Sequence, residues 1–533
     1  MNLTELNLPE DLQRLSLEQL RELAEDIRQV ILSTCLKNGG HLGASLGTVE
    51  LAIALHKTFR SPDEPIVWDV GHQAYAHKLL TGRAATFDTL RTTGGVCGFL
   101  TREESIHDAF GAGHSSTSIS AALGMAWNNP NWSTAVIGDG GLTAGIALEA
   151  LNNVSSLDLG PFILVLNDNQ MSISENVGGI SKLLASGEGT AQFFESFGFD
   201  YVGPVDGHDL STLLGTLEGI KKGYAGKPIL LHVRTLKGKG YTPAEQSPAA
   251  YHGISPVQVA APNSLKVEAK PPQKTWSEAF GEALCKAAER DDRVVAITAA
   301  MPEGTGLTEF ATKFPQRFFD VGIAEPHAVT FAAGMATRGL KPFVAIYSTF
   351  LQRSLDQIIH DVALQNLPVT FAVDRAGLVG ADGPTHHGSF DLAYFGMIPR
   401  MTVTAPSSIE DLEVLISESL VSSGPFSIRY PRGKALAKIS TPLSDQIRRH
   451  QLALKPKLLV VTLGTLAERL EKIVRALDPE GDSITLLSTV YAKPLPSRMI
   501  ELLNAQPSAV LITVEDGSVI GGFGQHLFSS LEP

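Results

Sequence analysis

The sequence predicts an α/β protein of three doubly wound domains with mostly parallel sheets. Three observations predict it. Short, fully apolar runs of strand length alternate with stretches of helical periodicity along the whole chain. The strand-like runs end on glycine or on Asp and Asn, as at Gly-Asp-Gly (138–140) and Asn-Asp-Asn (167–169). A segment rich in proline, alanine and lysine at 255–274 has no period and reads as a linker.

Taken in order, leucines at helical spacing with Glu and Arg between them predict a helix over 17–36. Buried strands follow at 66–70, 135–137, 162–166 and 229–233, with a helix over 144–151. After the linker, strands are expected at 294–298, 343–347, 369–374 and 426–430. A last group lies at 458–462, 484–487 and 509–514. The domains expected are 1–254, 275–448 and 449–533, and the first two read as duplicated folds.

Composition narrows the function. A net charge of −13 over 533 residues argues against nucleic acid or an anionic membrane as a partner. An anionic substrate therefore needs local arginines. Cys35, Cys97 and Cys285 lack paired spacing, which points to a reduced, cytoplasmic setting without a disulfide framework or a zinc site. No signal-peptide pattern and no apolar window of membrane-spanning length is present.

The segment 136–171 carries the strongest chemistry. Strand, helix and strand form a right-handed crossover, so both strand ends reach one edge of the sheet, where ligands bind in such folds. Asp139 and Asn169 then land side by side as hard oxygen ligands for Mg²⁺ or Ca²⁺. Gly140 and Gly141 permit close backbone approach to phosphate oxygens. Either tripeptide alone would merely end a strand; both on one crossover predict a metal–diphosphate site.

Gly-Asp-Gly followed about thirty residues later by Asn resembles the thiamine diphosphate motif. Further segments are similar to the 1-deoxy-D-xylulose-5-phosphate synthase family, a transketolase-like group. They are Asp-Val-Gly-His-Gln-Ala-Tyr-Ala-His-Lys (69–78), Gly-His-Ser-Ser-Thr-Ser (113–118) and Asn-Asp-Asn-Gln-Met-Ser-Ile-Ser-Glu-Asn (167–176). Asp-Val-Gly-Ile-Ala-Glu (320–325), Tyr-Ser-Thr-Phe-Leu-Gln-Arg (347–353), Asp-Arg-Ala-Gly (374–377) and Gly-Ala-Asp-Gly-Pro-Thr-His (380–386) complete the set, which runs from about Leu12 to about Gly524.

The resemblance implies a first domain that binds diphosphate and Mg²⁺, a second that binds the pyrimidine, and an incomplete third. It implies Asp139, Asn169 and the Met171 carbonyl on Mg²⁺, with Gly113, His114, Ser115, Gly140, Gly141, His72 and Tyr241 on thiamine diphosphate. Glu325 would share a proton with the aminopyrimidine, and the cofactor would be held between domains. The residues themselves leave Glu325 two roles, since a carboxylate at that position also caps the following helix. His41, His72, His252 and His386 lie in glycine-rich or turn contexts, and each taken singly is as readily a structural residue. By resemblance they form a catalytic set with Asp382. Arg375 and Arg432 follow strand ends and would bind the phosphate of D-glyceraldehyde 3-phosphate bidentately, with Tyr347 and Arg353 as helpers. Lys237 and Lys239 resemble a phosphate loop without its full pattern. His387 beside His386 does not suggest a metal pair, because adjacent strand residues face opposite ways.

The reaction so implied is condensation of pyruvate with D-glyceraldehyde 3-phosphate, with loss of CO₂, to 1-deoxy-D-xylulose 5-phosphate, a precursor of isoprenoids, thiamine and pyridoxal. A homodimer is expected. A transketolase activity or a cofactor-binding scaffold without turnover are the alternatives. The stretch 181–192 is short where the family pattern has a long mobile segment, and the sequence stops at Pro533 where further elements are expected.

Overall fold

The computed structural model describes residues 2–172, 175–256, 273–380 and 382–532. The linker expected at 255–274 lies, apart from its ends, outside these residues. The chain forms two compact units. The first comprises Met1–Leu265 with Ala381–Thr385, and the second Lys266–Gly380 with His386–Pro533.

The helix Leu17–Asn38 starts at Ser16, whose hydroxyl accepts from Gln19 N while the Gln19 side chain accepts from Ser16 N. It ends at Gly39, whose φ of 78° suits glycine. Behind it lies a five-stranded parallel sheet in the order β1 (Ile66–Trp68), β2 (Ser133–Gly138), β3 (Phe162–Asp168), β5 (Ile229–Arg234), β4 (Asp200–Asp206). Alternate side chains serve two cores. Ile66, Trp68, Val136, Ile163, Val165 and Leu231 pack with the helices Leu17–Asn38, Val49–Thr58 and Leu210–Gly223. Val67, Ala135, Ile137, Leu164 and Leu166 pack with the helices Ser118–Ala126 and Gly145–Val154. The sheet is thus covered on both faces, as its unbroken apolar runs demanded.

In the second unit a seven-stranded sheet runs β15 (Tyr491–Lys493), β10 (Thr402–Thr404), β11 (Phe426–Arg429), β9 (Thr370–Asp374), β8 (Lys341–Tyr347), β6 (Val294–Thr298), β7 (Phe318–Asp320). Only β15 is antiparallel to its neighbour. Without its two edge strands, the order β6-β8-β9-β11-β10 repeats the chain succession of the first sheet. A four-stranded sheet, β12 (Ile447–Gln451), β14 (Ile484–Thr489), β13 (Leu458–Leu463), β16 (Val510–Val514), follows, with only β12 antiparallel.

The third sequence region does not stand apart. Its strand β15 pairs with β10, and one continuous core joins Val344, Phe371 and Val373 to Val461, Leu487, Met499 and Phe523. The short connector near 181–192 is a tight link between the helices Gly179–Ser186 and Thr190–Glu195, turned by Gly187 and Gly189 in left-handed conformation. Met499 is fully buried in the shared core. Met499→Ala should cost about 2–5 kcal/mol and speed amide exchange in β8 and β9 as well as in β13. Loosening confined to β13, β14 and β16 would contradict a common core.

Candidate active site

In the first unit, the register Gly138↔Asn167 brings the ends of β2 and β3 level, so Asp139 and Asp168 leave the sheet side by side. Both are buried, at 3 % and 2 % exposure. Asp139 Oδ2 accepts from Asn176 Nδ2 at 2.9 Å, while its Oδ1 is buried without a hydrogen-bond partner. Burial first, and the Asp168 charge second, push the Asp139 carboxyl up to about 8. Asp168 is held below the usual carboxylate range despite its burial, because His232 Nε2 donates to it at 2.9 Å and Gln170 N at 3.2 Å. His232 Nδ1 in turn faces Tyr201 Oη at 2.7 Å. The turn continues with Gln170 at φ 62° and Met171 N donating to Asn169 Oδ1 at 3.1 Å.

The two buried carboxylates at the ends of β2 and β3, with Asn169 in the turn that follows, are hard oxygen donors of the kind a divalent cation takes. These residues fit a magnesium ion holding a diphosphate. Protein packing also requires Gly140 and Gly141 to lack side chains. A Cβ on Gly140 would lie 2.8 Å from Ser172 Cβ, and one on Gly141 3.0 Å from Asp69 Oδ1.

Asp69 orders the next piece of the site. Its Oδ1 accepts from Ser116 N at 2.7 Å and its Oδ2 from Ser118 N at 3.0 Å. Val70 turns away at φ 59°, so the strand expected over 66–70 stops at Trp68. Gly113 sits where a Cβ would be 2.6 Å from Thr385 Cβ, and His114 Nε2 lies 3.1 Å from Thr385 O. Ser115 Oγ meets Ser116 Oγ at 2.9 Å.

His41, His72 and His252 come together as expected, with ring centroids 5.3–6.1 Å apart. Nδ1 of His72 and of His252 is buried without a partner. Burial, with the Lys237 charge second, pushes His72 down to about 3, and the same two causes with the other rings hold His252 well below its usual range. Burial thus favours the neutral form of both rings. Lys237, rated below these residues by sequence, is 3 % exposed and donates to Ser172 O at 2.5 Å. Burial pushes its ammonium down to about 8, against the opposing pull of Asp139. Tyr241 packs edge-on against Tyr251, centroids 5.7 Å apart. Sequence reasoning missed Arg91, whose Nη2 is 2.9 Å from Asp382 Oδ1.

In the second unit, Glu325 opens the helix Glu325–Thr337 and is 4 % exposed. Burial raises its carboxyl above the usual range, although Arg353 Nη1 lies 3.6 Å from Oε2. Glu325 thus stands at a helix start, and burial disfavours its anion. Asp320 Oδ1 fixes the preceding turn by accepting from Ala300 N and Gly322 N at 2.8 and 3.0 Å.

Arg375 follows β9 at φ 57° and lays its guanidinium over the Tyr347 ring, 3.9 Å from the centroid. Phe350, unremarked in the sequence, stacks on Tyr347 at 5.8 Å and meets the His386 ring edge-on at 5.4 Å. Arg432 is exposed. Beneath the arginines Asp374 is fully buried, accepts from Ser277 Oγ at 2.6 Å and is pushed up by burial to about 6. His387 Nδ1 accepts from Val379 N at 3.1 Å, which gives that ring a structural role. Among the described residues no group of three His, Cys, Asp or Glu is placed to hold a metal ion.

Family profiles cover most of the chain. The profile for 1-deoxy-D-xylulose-5-phosphate synthase matches 3–193, and the thiamine diphosphate binding, pyrimidine binding and C-terminal domains of transketolase match 127–268, 272–436 and 449–533. A 1-deoxy-D-xylulose-5-phosphate synthase of Aquifex aeolicus is 47 % identical over 97 % of this chain and 88 % of its own length. That of Syntrophomonas wolfei is 47 % identical over 98 % and 88 %, and a second form from Geobacter sulfurreducens is 44 % identical over 99 % and 92 %.

The chain belongs to the 1-deoxy-D-xylulose-5-phosphate synthase family. The Aquifex alignment spans 568 positions, more than the 533 residues here, so that synthase carries internal segments without a counterpart in this chain. The family is thiamine diphosphate-dependent, which agrees with the donor set around Asp139. Among the described residues no helix is long and apolar enough to cross a membrane.

The raised Asp139 carboxyl gives a pH test. A cation binds the carboxylate and not the acid, so wherever burial keeps Asp139 protonated Mg²⁺ must displace a proton. Calorimetric Mg²⁺ titrations of the cofactor-free protein near neutral pH should show heats that vary with the buffer's ionisation enthalpy, and affinity should rise with pH. Buffer-independent heats would contradict the protonated state.

Proposed function

We propose a residue-level account of the family's reaction, the thiamine diphosphate-dependent condensation of pyruvate with D-glyceraldehyde 3-phosphate to 1-deoxy-D-xylulose 5-phosphate and CO₂. The observation that carries it is the buried, donorless Asp139 oxygen at the shared edge of β2 and β3.

When bound, thiamine diphosphate supplies an acidic carbon that takes up the acyl carbon of pyruvate and an electron sink for the loss of CO₂. Asp139, Asn169 and the Met171 carbonyl would hold Mg²⁺, the counter-ion for the diphosphate. Gly113, His114 and Ser115 form a further wall of that site, fixed from behind by Asp69. Burial raises the Glu325 carboxyl, because its surroundings solvate the anion poorly, and it would share its proton with the pyrimidine ring nitrogen. His41, His72 and His252 act on the donor side. Burial favours the neutral rings of His72 and His252, which would serve the donor as hydrogen-bond donors and acceptors.

Arg375 and Arg432 bind the aldehyde's phosphate. Arg375 is pre-oriented by the Tyr347 face, which lowers the entropy lost on binding. Arg353 tempers Glu325 by its charge. His386 and Asp382 serve the acceptor aldehyde, with Asp382 oriented by Arg91. The protein assembles as a homodimer, which sedimentation velocity at micromolar concentration tests: a monomer throughout would refute it.

Two substitutions separate the roles. Glu325→Ala should lower turnover by about 10²–10⁴-fold with Mg²⁺ and cofactor affinity nearly intact, measured by single-turnover kinetics and calorimetry. Parallel losses of affinity and rate would refute its assignment. Arg375→Ala should raise KM for the aldehyde phosphate by roughly 10- to 100-fold while KM for pyruvate stays put, since a charge-assisted bidentate contact is removed. Equal effects on both substrates would place Arg375 elsewhere.

A further inference from the structure

The chain between β9 and the helix Asp391–Met397 closes on itself. Gly377 N donates to Gly388 O and Gly388 N to Gly377 O, each at 2.8 Å, so the two glycines form a two-bonded neck. Arg375 stands two residues before this neck and His386 two residues inside it. Two backbone bonds between glycines are a weak clamp alone, because glycine has the most conformational freedom to lose.

The neck is reinforced by the turn that follows β16. Asp516 Oδ1 accepts from Leu378 N at 3.2 Å. The carboxylate occupies the side-chain space of Gly377: a Cβ there would lie 2.0 Å from Asp516 Oδ2, and Gly377 has φ 76°. Ser518 N donates to Ser389 O at 2.8 Å on the returning strand of the neck. The turn itself is held in place. Arg429, 7 % exposed at the end of β11, donates from Nη2 to Asp516 O at 2.8 Å and from Nε to Asp391 Oδ2 at 3.0 Å. Glu515 accepts from Phe523 N and Gly524 N at 2.6 and 2.9 Å.

We propose that Asp516 is a positioning residue for the reaction: it clamps the Gly377–Gly388 neck and so fixes the spacing between Arg375 and His386. The inference rests on the roles given to those two residues under Proposed function. It assigns the third sequence region a part in catalysis, since the clamp is supplied by the segment 515–518. A misplacement of about 1 Å at a reacting group can cost up to roughly 100-fold in rate. That is the scale on which a loosened neck would be felt.

The test compares Asp516→Leu, which fills similar space but cannot accept a hydrogen bond, with Asp516→Asn, which keeps an acceptor oxygen for Leu378 N–H. Amide exchange at 376–389 is followed in the protein with Mg²⁺ and thiamine diphosphate, beside steady-state kinetics. D516L should speed exchange in this segment and lower kcat/KM for the aldehyde phosphate by roughly 10- to 100-fold, with cofactor affinity unchanged. D516N should track the unmodified chain in both. Should D516L not fold, Gly377→Ala drives the same separation from the other side, because its methyl group meets the carboxylate. Unchanged exchange in D516L, or a D516N as impaired as D516L, overturns the clamp. Faster exchange with unchanged aldehyde kinetics instead overturns the assignment of Arg375 and His386, and with it the catalytic half of the inference.

Discussion

Asp139 has a carboxylate oxygen buried next to a second carboxylate, with no hydrogen-bond donor to compensate it. Placing such a group inside a protein is unfavourable by several kcal/mol unless a proton or a cation neutralises it. The crossover from β2 to β3 forces the placement, because both strands end level at one edge. Much of the surrounding polar structure follows from it. Asn176 donates to one oxygen, His232 and Gln170 hold the neighbouring Asp168 as an anion, and Lys237 stands within electrostatic reach.

The repeated order of the two large sheets explains the division of labour. In the first sheet the residues just beyond the second and third strands are Asp139 and Asn169; in the second, the corresponding strands end at Tyr347 and Asp374, and Arg375 follows. The same carboxyl edge thus offers oxygen ligands in one unit and an aromatic-backed cation in the other. Lys237 follows β5 and Arg432 follows β11, the corresponding fourth strand of each sheet. One topology places chemistry at the same edge twice, and the side chains decide which part of the reaction each edge serves.

Much of this was legible because it is local. Buried parallel strands read as apolar runs, and β2, β3, β5, β6, β8, β9 and β11 lie where those runs predict them. The Gly-Asp-Gly and Asn-Asp-Asn ends can be placed by crossover geometry alone. Edge strands escaped: β4 is half exposed and carries glycine and proline, and β12 and β15 are short, with register set by antiparallel partners far along the chain. The pairing partners of site residues escaped for the same reason. Arg91 sits in Leu-Arg-Thr-Thr-Gly-Gly, and nothing in that stretch foretells an ion pair with Asp382, 291 positions later. Asp168, His232 and Asp516 act through contacts that only the folded chain creates. Lys237 was visible as a lysine in a glycine loop, but its burial, which alters its chemistry, was not.

The central claim is that this metal–diphosphate edge, the Glu325 acid and the paired arginines together perform a decarboxylative condensation. CO₂ release from pyruvate, followed with Mg²⁺ and thiamine diphosphate in the presence and absence of D-glyceraldehyde 3-phosphate, tests it most directly. The account predicts release that rises sharply with the aldehyde and matches the 1-deoxy-D-xylulose 5-phosphate formed mole for mole. No release from a protein shown to hold its cofactor, or release indifferent to the aldehyde, would contradict it.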